Sequence, residues 1–179
     1  MAKKTKTNIK VDSKDNIRYE GNVTLKIQKG KKILSTKKIK NQGTLRLFQG
    51  ICLALSGLPS ENLKGSYLPA YLDVGSDSGV TGLADPTLKN SILKSNRVKI
   101  SSLYPTLIQN NTGNDIGYSA TFIATVPYIL VGNTTINEIG MFADKEGQTL
   151  LARITVDNGV TLNQGTNLIV EWSVGIQNK

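Results

Sequence analysis

The chain of 179 residues has no histidine and a single cysteine, Cys52. The first absence removes the commonest general base and the commonest zinc ligand. The second excludes an internal disulfide. Cys52 falls in an apolar helical pattern, the setting of an inert buried thiol rather than a nucleophile. Aromatic residues make up 6% of the chain. None is interleaved with the N-terminal basic residues, as a base-stacking surface needs. No apolar run approaches the ~20 residues that cross a bilayer as a helix. Met1-Ala2-Lys3-Lys4 has no apolar stretch behind it, so no secretory signal is expected. No Gly-rich segment ends in Gly-Lys-Ser/Thr to cradle phosphate. No metal or cofactor is expected. Asp73, Asp77, Asp85 and Glu138 are the carboxylates to consider for acid–base work, and none has an evident partner in sequence. These absences argue against an enzyme.

What the chain has is charge at one end. Its net charge is +9. Residues 1–40 hold 13 Lys and Arg against Asp12, Asp15 and Glu20, a net of +10. The remainder holds 9 basic and 10 acidic residues, a net of −1. Residues 1–17 are poor in apolar side chains and read as a basic arm. Lys3, Lys4, Lys6, Lys10, Lys14 and Arg18 are its candidate anchoring groups. Such a stretch suits an acidic protein surface or nucleic acid. The missing aromatics favour protein.

The chain also alternates. Leu168, Val170, Trp172, Val174 and Ile176 share one parity, and Asn167, Ile169, Glu171, Ser173 and Gly175 the other. That is the period of a half-buried strand. Tyr19 to Gln28 alternates likewise, Lys29-Gly30-Lys31 is a turn signal, and a second strand runs from Lys32 to Lys40. These make a basic hairpin over 19–40. Further strands are expected over 67–74, 97–104, 116–126, 136–142, 149–156 and 168–176. Turns at Asn110–Asp115, Gly132-Asn133, Asp144–Gly147, Asp157-Asn158-Gly159 and Asn163–Gly165 separate the later ones. Asp73, Asp77 and Ser78 offer oxygen ligands of the kind calcium takes. Their spacing departs from the EF-hand loop and reads as a plain surface turn. One amphipathic helix is expected over 44–56. Thr44 is its N-cap, and Leu45, Phe48, Ile51, Cys52 and Leu55 form its apolar stripe. The fold class is mainly β: an antiparallel, jelly-roll-like sandwich in one domain over 18–179.

Ile136-Asn137-Glu138-Ile139-Gly140-Met141-Phe142, a short turn, and Leu150-Leu151-Ala152-Arg153-Ile154 resemble a recurring pattern of tailed-bacteriophage virion proteins. Those proteins carry an I-x-E-I-G-L-F strand, a hairpin, an L-L-A-R strand and a last strand like Leu168–Val174. Asn41-Gln42-Gly43-Thr44-Leu45-Arg46-Leu47-Phe48 is similar to their strand-to-helix junction. Met141 stands where Leu is more usual. The resemblance implies a non-enzymatic structural protein of the virion, made in the host cytoplasm: a head fibre or decoration protein, or a collar, tail or baseplate subunit. It implies other virion proteins as partners, a homo-oligomer such as a trimer, and no membrane. Glu138, Gly140, Phe142, Arg153 and Trp172 are the structural or interface residues of the pattern. Glu138 and Arg153 lie on neighbouring strands and are placed for a cross-strand ion pair. Gly140 signals close approach by another group, for which Trp172 is the candidate. The alternative is a carbohydrate- or host-surface-binding sandwich. Its site would lie in loops 75–79, 110–115 and 157–165, with Tyr67, Tyr71, Tyr104, Tyr118 and Tyr128 as the available aromatics.

Overall fold

The computed structural model describes residues 17–43, 69–79, 87–102, 105–109, 111–147 and 149–178. Lys3, Lys4, Lys6, Lys10 and Lys14, the expected helix over 44–56, and Tyr67, Asp85 and Tyr104 lie outside them. The expectation of a mainly β, antiparallel sandwich is met. The strands are β1 (Ile17–Lys29), β2 (Lys32–Gly43), β3 (Tyr71–Gly75), β4 (Val98–Lys99), β5 (Ser101–Ser102), β6 (Thr106–Gln109), β7 (Asp115–Pro127), β8 (Ile136–Phe142), β9 (Leu150–Val160) and β10 (Asn167–Asn178). A single helical turn, α1 (Tyr128–Val131), links β7 to β8.

The hairpin β1–β2 closes through Gly30 and Lys31. Gly30 has φ +57° while Lys31 does not enter that region, the arrangement of a type II′ turn. β1 also pairs with β10 along its whole length, from Ile17 opposite Asn178 to Gln28 opposite Asn167. β10 pairs in turn with β7, and β7 carries both β5 and β6 on its far side. That is the first sheet. The second runs β4-β3-β8-β9. β2 joins the two: it lies beside β1 up to Asn41, then pairs Gln42 and Gly43 with Arg153 and Ala152 of β9.

The alternation read from the sequence decides which faces meet. Val23 and Leu25 of β1, Ala124 and Val126 of β7, and Leu168, Val170 and Trp172 of β10 are buried on the inner face of the first sheet. Opposite them, and in the same cluster, lie Leu72 and Val74 of β3, Ile139 and Met141 of β8, and Ala152, Ile154 and Val156 of β9. Each Val, Leu, Ile or Met side chain among them contributes roughly 1.5–3 kcal/mol of transfer free energy, and the alanines less. Trp172 is fully buried in this cluster, on the sheet opposite Gly140.

Two local readings need correction. Asp157-Asn158-Gly159 does not end β9. Asn158 and Gly159 both take positive φ, 60° and 57°, inside a bulge, and β9 continues to Val160 opposite Ile136. The segment read as one strand over 97–104 is divided. β4 pairs with β3 in the second sheet, and β5 pairs with β7 in the first, so the chain changes layers near Ile100. Of the strand expected over 67–74, residues 67 and 68 lie outside the described ones; β3 begins at Tyr71, and just before it the Ala70 N–H donates to Phe142 O (2.9 Å).

Candidate functional site

The residues of the 136–154 pattern meet on the outer face of the second sheet. Strand parity puts Ile139 and Met141 into the core and sends Glu138, Gly140 and Phe142 to the other side. In register, Asp73 of β3, Gly140 of β8 and Arg153 of β9 lie side by side on that outer face. Glu138 is two positions along β8 from Gly140, and so diagonal to both Asp73 and Arg153.

A sheet face carrying two acids would ordinarily be wet. Here residues 87–97 cover it. Residues 90–92 run beside β3: Ser76 N–H donates to Asn90 O (3.0 Å), and Ile92 N–H donates to Val74 O (2.8 Å). Leu88 then reaches over the sheet and forms a second small core with Phe142, Leu150 and Tyr71. Gly140 makes this approach feasible. A Cβ there would lie 2.7 Å from Leu150 Cδ1 and 2.9 Å from Leu88 Cδ2. The close approach expected at Gly140 is therefore made by Leu88 and Leu150. Trp172, the group expected there, belongs to the central core on the opposite sheet, because its strand faces the other way across the sandwich.

Beneath this cover, both acids are fully enclosed. Asp73 and Glu138 are each 0% exposed. Asp73 accepts from Ser91 Oγ (2.7 Å), Arg97 Nε (3.1 Å) and the backbone N–H groups of Val74 (2.8 Å) and Leu93 (3.3 Å). Glu138 accepts from the Asn90 N–H (3.1 Å) through one oxygen and from Arg153 through the other. The cross-strand ion pair allowed by the sequence is thus present, and it is buried. Arg97 also donates to the carbonyls of Asp144 (3.2 Å) and Gly147 (2.7 Å), and its guanidinium sits 3.5 Å from the Phe142 ring centroid. It binds the covering segment, β3 and the β8–β9 loop together. Stacking on the ring adds a cation–π contribution where water is excluded.

Burial makes these pairs necessary. An isolated carboxylate out of water would be strongly unfavourable, and only full pairing and hydrogen bonding offset that. Two carboxylates on adjoining strands could form an acid–base dyad if they were open and unpaired. Each is instead paired with an arginine and accepts from backbone N–H groups, two at Asp73 and one at Glu138. Of the three oxygen ligands considered for calcium, Asp73 is taken up by Ser91, Arg97 and backbone N–H groups. Asp77 caps its own turn, accepting from the Gly79 N–H (2.5 Å). Among the described residues no three His, Cys, Asp or Glu side chains are grouped to hold a metal.

The remaining candidates fall elsewhere. Arg18 lies in β1 opposite Gln177. The described part of loop 110–115 precedes β7, whereas Asn163–Gly165 precedes β10 at the other end of the same strand pair. These loops are separated by nearly the whole length of β7, roughly 40 Å at 3.3 Å per residue. Loops 75–79 and 157–165 do share one end, where Asn137 Nδ2 donates to Ser76 O (2.8 Å). Tyr118 is the most exposed of the described candidate tyrosines, at 61%. Sequence reasoning missed Arg97, Ser91 and Leu88, because residues 87–97 have no periodicity to mark them. No helix among the described residues is long and apolar enough to cross a membrane.

No family model matches the chain, and neither the curated proteins nor the solved structures include a similar one.

Proposed function

We propose that this chain is a non-enzymatic structural component of a bacteriophage particle, assembling through its β-faces and fastened by its basic N-terminal arm. The observation that carries the reading is the enclosed state of Glu138, within the 136–154 pattern, and of Asp73 beside it on β3. Glu138, Gly140, Phe142 and Arg153 serve to seat a covering segment on the second sheet, and neither buried acid is left for chemistry. A sandwich braced on its outer face by arginine pairs is a rigid body suited to bearing contacts. The resemblance of Ile136–Phe142, Leu150–Ile154 and the final strand to virion proteins supplies the setting. The excess of basic residues in 1–40 supplies an anchor for acidic virion surfaces, whether capsid, portal, collar or tail. The carbohydrate-binding alternative draws on exposed Tyr118 but is not favoured as a single three-loop site, because the described part of loop 110–115 lies at the end of β7 opposite loops 75–79 and 157–165.

The test is composition of the particle. Mass spectrometry of density-banded phage particles is expected to find the chain at a fixed copy number per particle. A chain found only in the soluble lysate, or one that turns over a substrate through Asp73 or Glu138, contradicts the proposal.

A further inference from the structure

The hairpin of β1 and β2 concentrates positive charge on the folded part of the chain. Residues 17–43 hold eight Lys and Arg against Glu20 alone, a net of +7. Three of the eight are accounted for. Lys26 pairs with Glu171 (2.5 Å), Lys37 Nζ donates to the Asp157 carbonyl, and Arg18 lies at the far end of β1 from the turn. The other five, Lys29, Lys31, Lys32, Lys38 and Lys40, are exposed. Among the described residues no carboxylate lies within ion-pair distance of them. The turn adds a direct conflict: Lys29 stands opposite Lys32 in register, and like charges so placed destabilise a strand pair. By sequence, the stretches outside the described residues do not neutralise this charge. Residues 1–16 carry +3, 44–68 carry +1, and 80–86 hold one acid, Asp85. A second copy brings the same excess and is repelled.

Two features select the source of a matching anion. Ile33 and Leu34 are 42% and 49% exposed in the midst of these lysines. The hairpin's one aromatic residue, Tyr19, lies opposite Ile176, at the far end from the turn. Phosphates and stacked bases match lysines and aromatics, and make no use of exposed Ile and Leu. An acidic protein segment uses both kinds of group. Lys38 and Lys40 also share one strand face, two positions apart. At 3.3 Å per residue they are about 6.6 Å apart, the interval at which an extended chain presents its alternate side chains.

We propose that the β1–β2 hairpin is the docking site for an extended acidic segment of a different protein. The segment lies along β2, with carboxylates on Lys38 and Lys40 and apolar side chains against Ile33 and Leu34. Further carboxylates at the turn relieve the opposed Lys29 and Lys32. Charge complementarity sets the choice of partner, and the aliphatic contacts set it apart from a nucleic acid. The site is separate from the basic arm, which enters β1 at Ile17, roughly 40 Å from Lys29 at 3.3 Å per residue. The arm fastens the chain, and the hairpin orients it against an acidic neighbour. The inference rests on the reading of the chain as an anchored structural protein and names the chemistry of a second contact.

Fluorescence anisotropy on the full-length chain tests it, with labelled peptides of alternating Glu and Val, Glu and Ser, or Gln and Val as probes. The Glu–Val peptide is expected to bind at low ionic strength, the Glu–Ser peptide more weakly, and the Gln–Val peptide not at all. Lys38→Gln with Lys40→Gln should weaken Glu–Val binding by about tenfold or more with an unchanged thermal transition. Lys32→Glu should also weaken binding, yet raise the melting temperature, because it relieves the opposition to Lys29. A merely structural role for Lys32 gives the reverse. Lys3→Gln with Lys4→Gln, in the arm, should leave the affinity within about twofold. The proposal is overturned if the hairpin variants bind the Glu–Val peptide as wild type does, or if the arm variant alone loses it. It is overturned equally if the Gln–Val peptide binds as well as the Glu–Val one. Hairpin variants that lose a DNA duplex or phosphatidylglycerol vesicles but keep the peptide overturn it in favour of those anions. None of these readouts uses the particle, so failure of the docking site and failure of the virion reading remain distinguishable.

Discussion

Removing the Glu138 carboxylate should destabilise the protein far more than removing it together with Arg153. Glu138 is 0% exposed, Arg153 is 5% exposed, and the two are hydrogen-bonded across β8 and β9. Glu138→Leu leaves a buried guanidinium without its carboxylate, which typically costs 3–5 kcal/mol. It also takes the acceptor from the Asn90 N–H, within the usual 1–3 kcal/mol for a stranded buried donor. These costs overlap, so a total near 4 kcal/mol is expected. Arg153→Leu should cost a similar amount, because it strands Glu138 in its place. In the double variant no charge is left unpaired, and apolar replacements of buried pairs are often neutral. The residual cost should be about 1–2 kcal/mol, set by Asn90. The singles would then sum to roughly 8 kcal/mol and the double to a quarter of that, a coupling well beyond the 0.5 kcal/mol of independent sites. Urea unfolding with linear extrapolation measures all three, and an unchanged slope shows that the denatured state is comparable. For a chain of this size the single variants should melt roughly 8–16 °C lower. Singles costing under about 1 kcal/mol, or additive effects, would refute the idea that this pair bolts the second sheet to its cover.

Gly140→Val should destabilise by about 1–3 kcal/mol as an overpacking change, with hydrogen exchange rising first at Leu88–Ile92, because the new side chain displaces Leu88 and Leu150. Gly75→Ala should act at the same place from the β3 side. Its Cβ would lie 2.6 Å from Glu138 Cγ, so its cost should shrink in a Glu138→Ala background, measured by the same unfolding cycle. Trp172→Ala should cost about 3–5 kcal/mol and quench the protein's only tryptophan signal, read by circular dichroism melting. A glycan array probed with the full-length chain should show no hits, and a hit lost on Tyr118→Ala would revive the carbohydrate reading.

Legibility in the sequence followed regularity. β8 was bounded to the residue, and the faces of β10 and β7 were assigned correctly, because a period of two over several residues has one interpretation. The Glu138–Arg153 pair was within reach for the same reason: hairpin register follows from the turn. Asp73–Arg97 was not. Those residues are 24 apart on segments with no shared pattern, and only the fold of 87–97 against β3 brings them together. Asn158-Gly159 misled because the residues that end strands in turns also form bulges within them, both by tolerating positive φ. Leu107, Tyr118 and Ile176 have the same alternation as the buried core yet are exposed, and alternation alone does not separate the two cases.

The most direct measurement of the central claim is retention of the chain on purified particles with and without residues 1–16, at matched expression and over rising salt. The full chain should remain bound at physiological ionic strength and be released as salt screens the arm, while the shortened chain should be absent from the particle yet melt at the same temperature. Equal retention of both forms, or binding indifferent to salt, would contradict an account in which a passive sandwich is held in place by its basic end.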